Sequence, residues 1–266
     1  MATRKTSKSA ETASPGTGIA LIDSQLSAEA AMLKSQLGAP GGNKIKIEPS
    51  GNIKLPDGTD AGNEIQFVVV DFMSANRFYS GVYNSQNPAP PDCYAIGRVL
   101  ADMAPEDDSP QKQHDGNCAG CPMNAFGSGP NGAKACKNTR ELAVLLIDPD
   151  NPDAHNAPDA PLYSLSVPPT SLRSFDSAAS MVGRTLGSLI KAVITMTATP
   201  KGTYASLTFS SPVANPDYAV HFQRRAECEA LLVRKPNYDE YNARAAAAPG
   251  RGNARGRASP PARPRR

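Results

Sequence analysis

Glu64-Ile-Gln-Phe-Val-Val-Val-Asp-Phe-Met73 is the stretch from which the architecture of this chain is read. It is rich in Val and Phe, and its run Phe67–Val70 has the length of a buried strand. Upstream, Lys44-Ile-Lys-Ile-Glu48 and Asn52-Ile-Lys-Leu55 alternate with period two around Pro49-Ser50-Gly51, the pattern of a hairpin. Downstream, 141–147 reads as a strand ended by Asp148-Pro149-Asp150, and 161–167 as another. The segments 192–198 and 204–209 face each other across Pro200-Lys201-Gly202 as a second hairpin. Helical spacing predicts helices over 20–37, from Thr170 or Ser171 (either able to cap) to about Leu189, and over 218–233. From Ser74 to Asn124 the prolines leave little regular structure. About seven short, mostly antiparallel strands with two or three helices predict a mainly β, α+β fold. An OB-like antiparallel barrel or a curved sheet meets that description. The expected organisation is one nucleic-acid-binding domain over 19–241 with a cysteine-rich insertion at 88–140. Disordered tails are expected at 1–18 and 242–266.

The chain has 266 residues, with 21 Gly and 25 Pro. That is room for one large domain or two small ones, surrounded by much loop. No apolar run approaches a membrane span, and the N-terminus lacks the apolar stretch of a secretory signal. A reducing, cytoplasmic compartment is therefore expected, where clustered cysteines serve as metal ligands more often than as disulfides. The formal charge of +3 is unevenly spread. Residues 244–266 carry seven arginines and no acid, 1–11 carry +2, and the body 12–243 carries −6. A basic binding surface on the body must be local. The arginine tail resembles RGG-type segments, which hold phosphates with little sequence preference, although a merely solubilising tail reads the same way.

Four cysteines stand close together: Cys93, Cys118, Cys121 and Cys136. In Cys118-Ala-Gly-Cys121-Pro the two-residue spacing puts two thiolates on one turn, which Gly120 helps to close and Pro122 to leave. With Cys93 and Cys136 they can complete a tetrahedral sulfur set for Zn2+; a [4Fe–4S] cluster is the alternative metal group, and unrelated buried or free thiols the alternative to a metal site. Four protein ligands leave no open coordination position, so the site is structural. His114, four residues before Cys118, is a possible substitute ligand and more simply a loop histidine. Cys228, the fifth cysteine, reads as a small buried hydrophobe on a helix.

Phe72, Arg77, Tyr79 and Tyr83 mix rings with a cation, the combination on which bases stack and phosphates are tracked. Each ring taken singly is more often core. Phe126 is expected to pack near the metal. Lys134, Lys137 and Arg140 form a basic cluster suited to phosphate, and Lys201 and Tyr204 sit at the tip of the second hairpin. The acidic run from Asp148 to Asp153 is explained by strand-ending Asp-Pro turns rather than by a divalent-metal nuclease site. There is no Gly-rich phosphate loop, no Ser–His–Asp ordering and no deaminase signature. A non-enzymatic role is expected.

Five strings taken together carry a resemblance: Phe72 to Tyr83; Pro90-Pro-Asp-Cys93-Tyr-Ala-Ile-Gly97; Cys118 to Ser128; Gly132-Ala-Lys-Ala-Cys136-Lys-Asn-Thr-Arg140; and Leu165 to Phe175. Their order resembles bacteriophage proteins associated with single-stranded DNA binding in phage replication or recombination, over roughly 44–235. The resemblance implies a phage origin, an OB-like DNA-binding body, a cysteine metal site, single-stranded DNA as ligand and phage replication or recombination proteins as partners. An oligomer is compatible with it, and a membrane role is not expected. The alternative reading is a phage structural or replisome-assembly protein that docks other proteins through its zinc loop. The chain departs from many phage single-strand binders by ending in arginines rather than in acidic residues.

Overall fold

The computed structural model describes residues 42–81, 88–210 and 212–247. The helix expected over 20–37, Tyr83, the N-terminal tail and the tail beyond 247 lie outside them. The chain gathers into two compact units, not the one domain expected over 19–241. The sheet unit comprises 42–73 and Thr139–Leu232; the cysteine unit comprises Ser74–Asn138 and the chain from Val233 onward. The insertion thus begins earlier than expected and includes a C-terminal segment.

The strands are β1 (Lys46–Ile47), β2 (Ile53–Lys54), β3 (Glu64–Phe78), β4 (Cys93–Gly97), β5 (Lys137–Ile147), β6 (Leu162–Val167), β7 (Ala192–Lys201), β8 (Tyr204–Phe209) and β9 (Val213–Ala214). The helices are α1 (Leu172–Thr185), α2 (Tyr218–Gln223), α3 (Glu229–Leu232) and α4 (Tyr238–Ala247). Both expected hairpins are present: β1 pairs with β2 in the register Lys46 to Lys54, and β7 with β8 in the register Lys201 to Tyr204. The closing helix expected over 218–233 is divided by a 3-10 turn at Arg224–Cys228, and α4 occupies the start of the expected tail.

The main sheet is antiparallel in its described pairings and runs β6-β5-β3-β7-β8, with β9 beside β7. It is not closed into a barrel, since β6 and β8 remain its two ends. The β8 end is covered by side chains. Leu207 N–H donates to Ser171 Oγ at 2.8 Å and Phe209 N–H to Ser174 Oγ at 3.0 Å. An edge satisfied in this way needs no further strand. Ser171, expected to cap α1, makes no capping bond there because its oxygen is given to the sheet. At the other end of α1, Leu186 and Gly187 N–H both reach Val182 O, and Gly187 has φ +82°, a left-handed stop that ends the helix before Leu189.

Phe175, Ala178 and Val182 form one stripe of α1 and pack in a single cluster with Phe67, Val69, Leu142, Ile194 and Leu207. Phe175 is flanked edge-on by Phe72 and Phe209, with ring centroids 6.0 and 5.3 Å away. Val68 and Val70 on the opposite face of β3 are buried as fully as Phe67 and Val69, which explains the unbroken apolar run. A buried polar network fastens α2. The fully buried His221 donates through Nε2 to Asn156 Oδ1 at 2.8 Å, while its Nδ1 accepts from Asn215 Nδ2 at 3.0 Å. Burial, reinforced by His155, pushes the His221 pKa below its ordinary value, and the neutral ring fits both bonds. No helix among the described residues is long and apolar enough to cross a membrane.

Candidate metal centre

In the cysteine unit, polar Ser74–Phe78 prolongs β3 and pairs with β4, so that Phe78 lies opposite Cys93. This pairing fixes the first cysteine. Asn117 fixes the second: its Oδ1 accepts from Ala119 N–H and starts the short 3-10 turn Cys118–Gly120, while Cys118 N–H donates to Met103 O at 2.7 Å. Cys121 N–H closes onto Cys118 O, and Asn124 Nδ2 returns to the same carbonyl at 2.9 Å. The fourth cysteine is tied to this turn by Cys136 N–H donating to Met123 O at 2.8 Å. Between them, Ser128 Oγ accepts from Ala135 N–H and lies 2.9 Å from Met123 O.

The outcome is that Cys93, Cys118, Cys121 and Cys136 all line one small cavity of about 20 Å³, together with Phe78 and Tyr94. None of the four is in a disulfide. Burial raises the Cys118 and Cys136 thiols, the latter to about 12, and Cys136 is raised further by Cys118, Cys121 and Cys93. Among the described residues, no three His, Cys, Asp or Glu side chains already stand as a ready-made ion-holding group. His114 is otherwise engaged, its Nδ1 accepting from Gly116 N–H at 2.9 Å. Cys228, in the sheet unit, is fully buried as expected, its thiol pushed up to about 11 by burial.

The nucleic-acid candidates separate. Phe72 is half-buried, packed edge-on against Phe175 at the margin of the core. Arg140, expected to contact phosphate, is only 9 % exposed and lies 3.1 Å from the Asp176 carboxylate; its charge is spent inside the sheet unit. Lys137 is exposed and Lys134 half-buried. Phe126, expected to pack near the metal, is 84 % exposed instead, with Lys134 Nζ 5.1 Å from its ring centre. Lys134 Nζ also donates to Asn124 Oδ1 at 3.2 Å, which links this pair to the cysteine turn. Tyr79 is exposed and Arg77 half-buried at the end of β3. In the sheet unit, Lys201 and Tyr204 are both exposed at the β7–β8 tip, where Gly202 turns with φ +70°. Asp148 and Asp150 form a turn in which Asp150 N–H donates to Asp148 Oδ1, as a strand-ending role requires.

Comparison with protein-family models, with curated proteins and with solved structures finds no match for this chain.

Proposed function

We propose that this protein is a non-enzymatic single-stranded DNA-binding protein, acting in phage replication or recombination, whose cysteine unit is closed by a zinc ion held by Cys93, Cys118, Cys121 and Cys136. The observation that carries the binding reading is Phe126. Its ring is 84 % exposed, so it contributes little to the core, and it has an ammonium 5.1 Å from its centre. This is the pairing that a stacked base and its phosphate require. The chain reaches this presentation through the turn that carries the cysteines, so ordering the thiols also orders the ring. Exposed Lys137 adds a cation to the same unit, and Lys201 with Tyr204 offers a second ring and cation on the sheet unit. The resemblance of the cysteine strings to phage single-strand binders points the same way.

The donor set supports the ion. Four thiols lining one cavity match the donor set of tetrahedral Zn2+, with a four-iron cluster as the alternative. When bound, the ion supplies structure and keeps the thiols as thiolates.

The test is titration of labelled single- and double-stranded oligonucleotides at two salt concentrations, with bound metal measured on the same preparation. Wild type is expected to prefer the single strand, and Phe126→Ala to weaken that binding by about tenfold without unfolding the protein. Equal affinity of Phe126→Ala and wild type, or no single-strand binding at low salt, overturns the proposal.

A further inference from the structure

The cysteine unit contains a second cavity that shares no residue with the one its thiols line. It measures about 320 Å³, at the lower end of the range that holds a small organic ligand. Arg77 and Tyr79 come from the end of β3, Pro88 to Pro91 form a second side, and Arg234, Glu240 and Tyr241 come from the C-terminal segment. The walls are pinned to one another. Tyr238 Oη donates to Pro91 O at 2.8 Å, and Lys235 Nζ lies 3.5 Å from the Glu106 carboxylate. Asn237 closes the start of α4, its Oδ1 accepting from Glu240 N–H at 3.0 Å while its Nδ2 donates to Glu240 Oε2. The Tyr238–Pro91 bond joins the C-terminal segment to the proline wall, which limits the ordering a ligand must impose.

Its chemistry is specific. Two guanidinium groups present planar forks of donors suited to phosphate oxygens. Two phenol rings present flat faces on which a base stacks. A phosphorylated peptide would use the arginines but has no planar base for the two rings.

We infer that this cleft holds one nucleotide unit, with its phosphate at Arg77 and Arg234 and its base against Tyr79 and Tyr241. The inference rests on the single-stranded DNA reading and adds the place where one unit of the strand is gripped.

The experiment uses the full chain with its metal, and a labelled oligothymidylate titrated at low and at physiological salt. Tyr241→Ala is expected to weaken binding about tenfold while Tyr241→Phe, which keeps the ring, binds as wild type. Arg234→Gln is expected to reduce the salt slope by about 0.7. Hydrogen exchange of the cysteine unit should be the same in all variants. If wild type binds the oligonucleotide and both Tyr241→Ala and Arg234→Gln bind equally well, the cleft is not the site and the wider DNA-binding reading stands. If wild type binds no oligonucleotide, both fall. In a parallel arm, thymidine monophosphate that binds as tightly as the oligonucleotide and is lost in Tyr241→Ala assigns the cleft to a free nucleotide, which overturns the strand assignment.

Discussion

Along β7 of the sheet unit, Ala192, Ile194, Met196 and Ala198 are fully buried at every second position, whereas from Cys118 to Cys136 in the cysteine unit only Cys118 is buried. The sheet unit has a continuous apolar cluster from Ile45 to Phe209. Among the described residues of the cysteine unit, a small buried cluster joins Ala95, Met103 and Cys118, with Ala75, Cys93 and Tyr94 also buried. Apolar burial is sufficient to explain the order of the first and insufficient for the second. The cysteine unit relies on turn hydrogen bonds, each worth about 1 kcal/mol net, against an ordering cost of about 1–2 kcal/mol for every residue's backbone. The difference marks where the proposed zinc would act: in the loop-rich region, at the cavity that the four cysteines line.

The largest expected effect breaks the cysteine unit and spares the sheet. Structural zinc contributes on the order of 10–16 kcal/mol of apparent binding free energy in small zinc domains. Chelation, or the pair Cys118→Ser and Cys121→Ser, is therefore expected to release the amides between Ser74 and Asn138 to rapid hydrogen exchange. Those of β7 and α1 should stay protected. Unchanged exchange from Ser74 to Asn138 after complete metal removal would show that the loop stands without an ion.

The converse substitution acts on the sheet. Phe175 is 1 % exposed and lies between Phe72 and Phe209. Phe175→Ala is expected to cost about 3–5 kcal/mol, read as a lower urea midpoint of the sheet unit, with the metal content of folded protein unchanged. Loss of metal at the same urea concentration would mean that the two units unfold together.

The same contrast decides how much could be read from the residues in order. Period-two alternation exposed both hairpins, and apolar runs exposed β3, β5 and β6, because water drives those segments and apolarity is visible in sequence. The polar continuation Ser74–Phe78 and its partner β4 were missed, since backbone pairing holds them and carries no apolar signature. The cysteine spacing pointed to one set of four, and all four line one cavity. Side-chain direction was not legible. β5 begins at Lys137, four residues before the strand read at 141–147, and the odd spacing from Lys137 to Arg140 puts them on opposite faces: Lys137 is exposed and Arg140 buried beside Asp176. Phe126 was judged by its neighbours in sequence and stands in solvent. Arg234 and Tyr241 gave no signal, because the prolines they face lie more than a hundred positions earlier in the chain.

The smallest expected effect sharpens the comparison by adding one methyl group to each unit. At Gly129, between Cys121 and Cys136, a Cβ would stand 2.8 Å from Ala135 N and 2.9 Å from the Lys134 carbonyl carbon. Both are backbone atoms and cannot rotate aside. Ala135 N–H is also held by Ser128 Oγ at 3.0 Å, so the clash is transmitted to the segment that carries Cys136. Gly129→Ala is expected to cost about 1–3 kcal/mol and to speed metal release to a chelator. At Gly183, on the exposed side of α1, the same Cβ meets nothing within 4 Å. Gly183→Ala is expected to stabilise the sheet unit by about 0.5–1 kcal/mol, because alanine loses less backbone freedom on entering a helix. Thermal melts of the two variants, with metal release followed in parallel, check both signs. A neutral Gly129→Ala would mean that the cysteine loop gives way around an added methyl group, and tight backbone approach could then no longer account for how its thiols are held.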